Sequence, residues 1–204
     1  DGPRTDVADL TSYRYYDLDD PDPGKRGQLA SITNALGQRT EITAYNEHGQ
    51  PLTLINANGS VTTLGYDLRQ RLTSRSVDGE ITTITYDPAG QVSRITHPDG
   101  SHLDYTRDPA HRLIALSDSL GNQIRYTLDA QGNRLHEAIH DAGGQLAQTR
   151  QRLYDNLGRL AQDIGARGQV TVYEHDAQGN RSRVTDPRNL ATTYTIDGLG
   201  NRTQ

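Results

Sequence analysis

The chain has 204 residues with no Phe, Trp, Met or Cys, only 32% hydrophobic residues, 20 Gly, 8 Pro and a net charge of −5. The missing cysteines exclude disulfides and thiolate-bound metal, and the acidic balance without a basic stripe argues against a nucleic-acid groove. There is no transmembrane span and no signal-peptide pattern. So thin a supply of apolar residues is buried together only if it recurs in register, and 11 Tyr among many Leu, Ile, Val and Thr do recur.

Taken in chain order, Tyr16-Asp17 opens a first, longer unit whose tip is Leu18-Asp19-Asp20-Pro21-Asp22-Pro23-Gly24 before Gly27-Gln28-Leu29. An Asp or Asn that follows a Tyr, or a residue in its place, then recurs at Asn46, Asp67, Asp87, Asp108, Asp129, Asp155, Asp176 and Asp197. The intervals are 21, 20, 21, 21, 26, 21 and 21. Such a beat is the mark of a repeat array. Three residues on stands a glycine at Gly49, Gly90, Gly132, Gly158, Gly179 and Gly200, with Gln70 and His111 as departures. Glycine there supplies a positive φ for a tight turn while the Asp side chain caps backbone N–H groups. A second mark follows twelve or thirteen residues after the Asp: Asn58-Gly59, Asp78-Gly79, Asp99-Gly100, Leu120-Gly121 and Arg167-Gly168, with Asn189 taking the place in the unit of Asp176. Asn-Gly and Asp-Gly are strong hairpin signals.

Between the marks lie segments of about seven residues, too short for stable helices and rich in β-formers. Each unit therefore reads as a two-stranded hairpin. In its second strand alternate residues share a face: Thr82, Ile84 and Tyr86; Leu103, Tyr105 and Arg107; Ile124, Tyr126 and Leu128; Thr171, Tyr173 and His175; Thr192, Tyr194 and Ile196. The first strand is less regular, with apolar residues three apart at Val92 and Ile95 and at Leu113 and Leu116, which predicts a bulge or strong local twist. One hairpin cannot bury its apolar face in water, whereas stacked hairpins share a continuous one. The expected fold is all-β: tandem antiparallel β-hairpin repeats forming a long curved or spiral sheet. Residues 1–204 read as a single array of eight to nine repeats. Both ends, Asp1-Gly2-Pro3-Arg4 and Asn201-Arg202-Thr203-Gln204, read as cuts through something longer.

The stretches Tyr86-Asp87-Pro88-Ala89-Gly90-Gln91-Val92 and Tyr154-Asp155-Asn156-Leu157-Gly158-Arg159-Leu160 resemble the YD-repeat signature of RHS proteins. Gly59 to Tyr66 and Gly79 to Tyr86 supply its second half, Gly-x-x-Thr-x-x-Tyr. Four units carry Arg107, Leu128, His175 or Ile196 in place of the Tyr before the Asp, and another reads Tyr45-Asn46. The resemblance implies a spiral β-sheet shell, as in bacterial RHS proteins, the cocoon of insecticidal toxin complexes and animal teneurins. In the bacterial members it implies a shell that encloses a C-terminal toxin before secretion, often by a type VI system. Partners implied are neighbouring RHS repeats, the encapsulated toxin domain of the same full-length protein, and a secretion-apparatus or chaperone protein; the location implied is secreted or cell surface.

His136-Glu137-Ala138-Ile139-His140 matches the zinc-protease pattern His-Glu-x-x-His. That chemistry needs a helix, which brings two imidazoles four residues apart onto one ion. In a strand they lie roughly 13 Å apart. The register puts this segment in a strand just after the turn at Gly132-Asn133. His48, His97, His102, His111 and His175 lack ligand spacing, and an Asp every 21 residues lacks the oxygen cluster that calcium requires. Asn58-Gly59-Ser60, Asn180-Arg181-Ser182 and Asn201-Arg202-Thr203 fit glycosylation acceptors, but turns demand Asn there anyway. The reading is a non-enzymatic segment with no catalytic, cofactor or metal site. It serves as part of a shell around a toxin or other cargo. The alternatives are a cell-surface adhesion or glycan-binding repeat module and, as a decoy, a metalloprotease at His136, Glu137 and His140.

Overall fold

A computed structural model describes residues 10–198 and 201–203, so the turn glycine expected at Gly200 lies outside the described residues. Every regular element is a β-strand, and the chain divides into two compact units, Asp1–His102 and Leu103–Gln204. The first holds β1 (Ser12–Tyr15), β2 (Leu29–Thr33), β3 (Arg39–Tyr45), β4 (Pro51–Ile55), β5 (Val61–Tyr66), β6 (Leu72–Val77), β7 (Glu80–Tyr86) and β8 (Val92–Thr96). The second holds β9 (His102–Arg107, begun by the last residue of the first unit), β10 (Leu113–Asp118), β11 (Gln123–Leu128), β12 (Arg134–His140), β13 (Leu146–Tyr154), β14 (Leu160–Ile164), β15 (Val170–His175), β16 (Arg181–Thr185) and β17 (Ala191–Thr193). Inside the first unit each strand pairs antiparallel with the next, β1 through β8. Inside the second, β9 through β17 do the same.

Among the described residues, packing within each unit joins successive strands only, so each is a single layer with no second sheet or helix against it. The consequence is a molecule almost without a core. Ser31, Ile42, Ala138 and Asp163 are its buried side chains among the described residues. What replaces a core is a half-buried face. Thr82, Ile84 and Tyr86 are partly covered where Ile81, Thr83 and Thr85 are exposed, and Ile124, Tyr126 and Leu128 are covered where Arg125 and Thr127 are not. Register extends this pattern sideways: Tyr105, Leu116, Ile124 and Ile139 stand opposite one another across β9 to β12. Cross-strand apolar pairs of this kind are the stabilising unit of a sheet.

The irregular first strand has a specific cause. In eight hairpins the second residue of the strand after the Tyr-Asp turn is skipped by the ladder: Ala30, Leu52, Thr73, Ser93, Ile114, Leu135, Ala161 and Ser182. One bulge per repeat shifts the side-chain alternation, which is why apolar residues there fall three apart.

The second mark is a hairpin turn, as expected, and the structure adds its length. Asn58-Gly59 is not a two-residue hairpin turn. Gly59 N–H donates to the Asn56 carbonyl at 2.9 Å and Asn56 N–H to that of Ser60 at 3.1 Å, with the N–H groups of Asn58 and Ser60 on Asn56 Oδ1. The same five-residue turn recurs at Asp118–Asn122 and Asp186–Leu190 in the second unit, and at the Tyr-Asp turns Asp67–Arg71 of the first unit and Asp155–Arg159 of the second. Asp78-Gly79 does form the two-residue turn, with φ of 51° and 95° and Val77 opposite Glu80. The departures Gln70 and His111 adopt φ 63° in place of glycine, as does Asn189.

Candidate functional site

The chemistry of each unit is concentrated along the edge formed by its Tyr-Asp turns. Asp155 shows the local design: Oδ1 accepts from the N–H groups of Leu157 and Arg159, both at 2.9 Å, and Oδ2 accepts from Arg159 Nε at 2.7 Å. Asp67 with Arg71 and Asp108 with Arg112 repeat it. Asn133 and Asn180 supply a shorter amide donor to Asp129 and Asp176. The N–H of the residue four positions on holds the carboxyls of Asp67, Asp108, Asp155 and Asp186 below the usual range. At Asp129 and Asp176 desolvation works against this, yet the amides of Asn133 and Asn180 and the turn N–H groups hold the carboxyls low.

The same Arg ties one turn to the next. Arg112 Nη1 donates to the Asp129 carbonyl at 2.8 Å, Arg159 Nη1 to that of Asp176 at 3.3 Å, and Gln50 Nε2 to that of Gln70 at 2.9 Å. The glycines of the Tyr-Asp turns, Gly49, Gly90, Gly132, Gly158 and Gly179, face the preceding turn's side chain: a Cβ on Gly90 would stand 3.3 Å from Arg71 Nη1, and one on Gly49 would stand 2.7 Å from Gln28 Nε2. Positive φ and this close approach together explain the glycine. Where Asn133 replaces Arg the link to Asp155 is missing, beside a groove of about 750 Å³ lined by Asp129, Asn133, Tyr154, Asp155 and Leu157. Asn133→Arg is expected to restore the link and stabilise by about 1 kcal/mol, raising Tm by about 3 °C in a thermal melt.

The tyrosines do more than pack. Tyr45 OH donates to the Leu29 carbonyl at 2.6 Å, Tyr66 to Pro51 at 3.0 Å, Tyr86 to Leu72 at 2.7 Å and Tyr154 to Arg134 at 3.2 Å. Every acceptor is the residue just before the previous hairpin's bulge. Each hairpin thus satisfies a carbonyl that the bulge of its predecessor turns out of the ladder. Burial raises the pKa of Tyr45 and Tyr66, and for Tyr45 the neighbouring Tyr16 adds to it. In units without Tyr before the Asp, a Tyr two residues earlier on the same face lies under an arginine, as Tyr86 does under Arg71 at 4.2 Å: Arg134 over Tyr126 at 3.7 Å, Arg181 over Tyr173 at 5.0 Å and Arg202 over Tyr194 at 3.8 Å. Both rings stay under an arginine in the Phe variants, so Tyr86→Phe is expected to cost about 1 kcal/mol for the hydroxyl bond and Tyr126→Phe, which breaks no bond to a bulge carbonyl, much less; urea titration separates the two.

His136, Glu137 and His140 lie in β12, an extended strand. His136 and His140 pair with Thr127 and Gln123, and Glu137 faces Tyr126 while pairing with Arg134 at 3.0 Å. The strand keeps the imidazoles apart, as the repeat register requires. Among the described residues no group of three or more His, Cys, Asp or Glu is placed to hold a metal ion. Residues that sequence reasoning missed are the Arg four positions after the Asp and the pair Arg150 and Asp163. Arg150 Nε donates to Asp163 Oδ1 at 2.7 Å and Nη2 donates to Oδ2, and this side-chain bonding holds the Asp163 carboxyl low despite its burial.

The RHS Repeat family model matches residues 45–81, 86–122, 107–146 and 154–191, which is most of the chain. The chain belongs to the RHS-repeat family. As an RHS chain it is 28% identical to Toxin protein Tse5 of Pseudomonas aeruginosa over 223 residues, covering 92% of itself and 16% of the toxin. It is 31% identical to Double-stranded DNA deaminase toxin A of Burkholderia cenocepacia over 129 residues, covering 62% of itself and 8% of that protein. It therefore spans less than a fifth of either relative. Its RHS fold superposes on the crystal structure of TcdB2-TccC3-TEV with a TM-score of 0.67 at 20% identity, over 94% of this chain and 11% of that one. On the Photorhabdus luminescens Tc holotoxin pore the TM-score is 0.65 at 20% identity, over 92% and 11%.

Proposed function

We propose that residues 1–204 are a stretch of wall in a much larger RHS shell, one continuous array that encloses a toxin or other cargo carried by the same polypeptide. The single observation that carries this reading is the bonding between repeats. Bulge carbonyls, Tyr hydroxyls, Arg guanidiniums and Asp turns are spent on joining each hairpin to the next, leaving a sheet one layer thick. Such an array gains stability from its neighbours and can be lengthened without limit. A single layer separates two spaces using few residues. The kinship with toxins supports a cargo of that class, delivered from a bacterium through a secretion apparatus, and supports assigning the wall a mechanical role with chemistry left to the cargo. In the full-length protein the cargo domain is expected to resist protease at neutral pH and to become cleavable once the wall is opened by acid. Cleavage at the rate of the free cargo domain under both conditions would refute enclosure.

A further inference from the structure

The 26-residue repeat leaves a gap in the strand ladder. β13 runs nine residues, Leu146–Tyr154, but β14 pairs only with Gln151–Tyr154 before the chain turns at Gly165–Gln169. β12 holds one side of Leu146–Arg150, and among the described residues no strand holds the other. Five residues span roughly 16 Å of open edge. The skipped residue Ala147 leaves Gln148, Thr149 and Arg150 in regular register with Ile139, Ala138 and Glu137. An open edge presents alternate N–H and C=O groups to any extended chain, and proteins usually blunt it with proline or a free charge. This segment has no proline, and its one charge, Arg150, is drawn aside to Asp163.

Beside the edge lies a groove of about 390 Å³ whose lining includes Gln148, Arg150, Arg167, Gln169 and Tyr173. Arg150, Arg152 and Arg167 lie around Asp163, and Glu137, across the ladder from Arg150, is the second carboxylate acting on it, so guanidiniums still outnumber carboxylates here in a chain that is acidic overall. We propose that Leu146–Arg150 is a strand-addition site for an extended acidic peptide segment of a partner. Main-chain bonds to the open edge supply affinity, and carboxylates on alternate residues meet the spare guanidiniums. A second copy of this chain is the poorer occupant, because edge-to-edge pairing would set Arg150 and Arg167 against their own duplicates. The proposal stands apart from the wall reading and survives its failure.

The test is fluorescence anisotropy on the 204-residue chain with a labelled heptapeptide of alternating Val and Glu. Comparison peptides carry Lys in place of Glu, or N-methyl groups on either alternating set of amides. The acidic peptide is expected to bind about tenfold more tightly than the Lys peptide, and one N-methylated set to lose about tenfold. Hydrogen exchange at 148–150 slows on binding, and Arg167→Glu, at an exposed turn tip, weakens binding about tenfold with Tm unchanged. Equal affinity for the plain peptide and both N-methylated ones overturns strand addition. So does failure of the acidic peptide to bind folded protein, or a dimer in sedimentation that the peptide does not dissociate.

Discussion

Acidification from about pH 6 to about pH 3 is expected to unfold the protein, with stability flat down to about pH 5 and falling steeply below about pH 4. Asp67, Asp78, Asp99, Asp108, Asp118, Asp129, Asp155, Asp163, Asp176 and Asp186 all have carboxyls held below their ordinary pKa. A folded pKa below the unfolded value of about 3.9 means that linkage favours the fold above that value and is lost as pH falls through the folded values. Each exposed turn contributes little, but within each unit the turns are joined by one ladder of strands and lose their contributions over the same pH window. Far-UV circular dichroism against pH gives the midpoint. The triple variant Asp118→Asn, Asp129→Asn, Asp176→Asn is expected to move that midpoint to lower pH at little cost near neutrality, because none of the three carboxylates faces an arginine and the amides of Asn122, Asn133 and Asn180 can turn to accept, as Gln38 and Gln50 accept from Asn34 and Asn46. A midpoint near pH 6 would assign the transition to histidines instead.

Gly121→Val is expected to be the most damaging single turn substitution, costing about 3 kcal/mol and lowering Tm by roughly 9 °C. Gly121 has φ 94°, and a Cβ there would lie 3.4 Å from the Ala142 carbonyl oxygen, an atom fixed in the backbone of the adjacent tip. A β-branched residue meets both obstacles. The reverse experiment has the opposite sign: His111→Gly, at φ 63°, relieves a left-handed side chain and is expected to stabilise by about 1 kcal/mol. Differential scanning calorimetry on both variants checks the pair. Equal and small shifts would show that turn conformation does not limit stability.

The beat of Asp and Gly and the alternation at Thr82, Ile84 and Tyr86 were enough to read the hairpins, because turn chemistry and side-chain period are local properties. The length of the turn at Asn58-Gly59 was not legible for a local reason: Asn56-Ala57-Asn58-Gly59 contains an Asn-Gly pair, and only the hydrogen bonds show that Asn56 is the cap. The arginine bridges were hidden because Arg112 and Asp129 meet across successive turns. Replacement of Tyr at positions 107, 128, 175 and 196 gives up the hydroxyl bond to a bulge carbonyl that Tyr86 makes, while an arginine over the ring, Arg71 at Tyr86 and Arg134 at Tyr126, is kept. Asp163 and Arg150 meet only because the long hairpin resets the register, which no repeat average reveals.

A cryo-electron microscopy reconstruction of the full-length protein would bear most directly on the wall assignment. It is expected to resolve a hollow particle in which β1–β17 form part of a single-layer wall, with density for a separate domain inside. A particle with no internal space, or with that domain outside the sheet, would contradict the account.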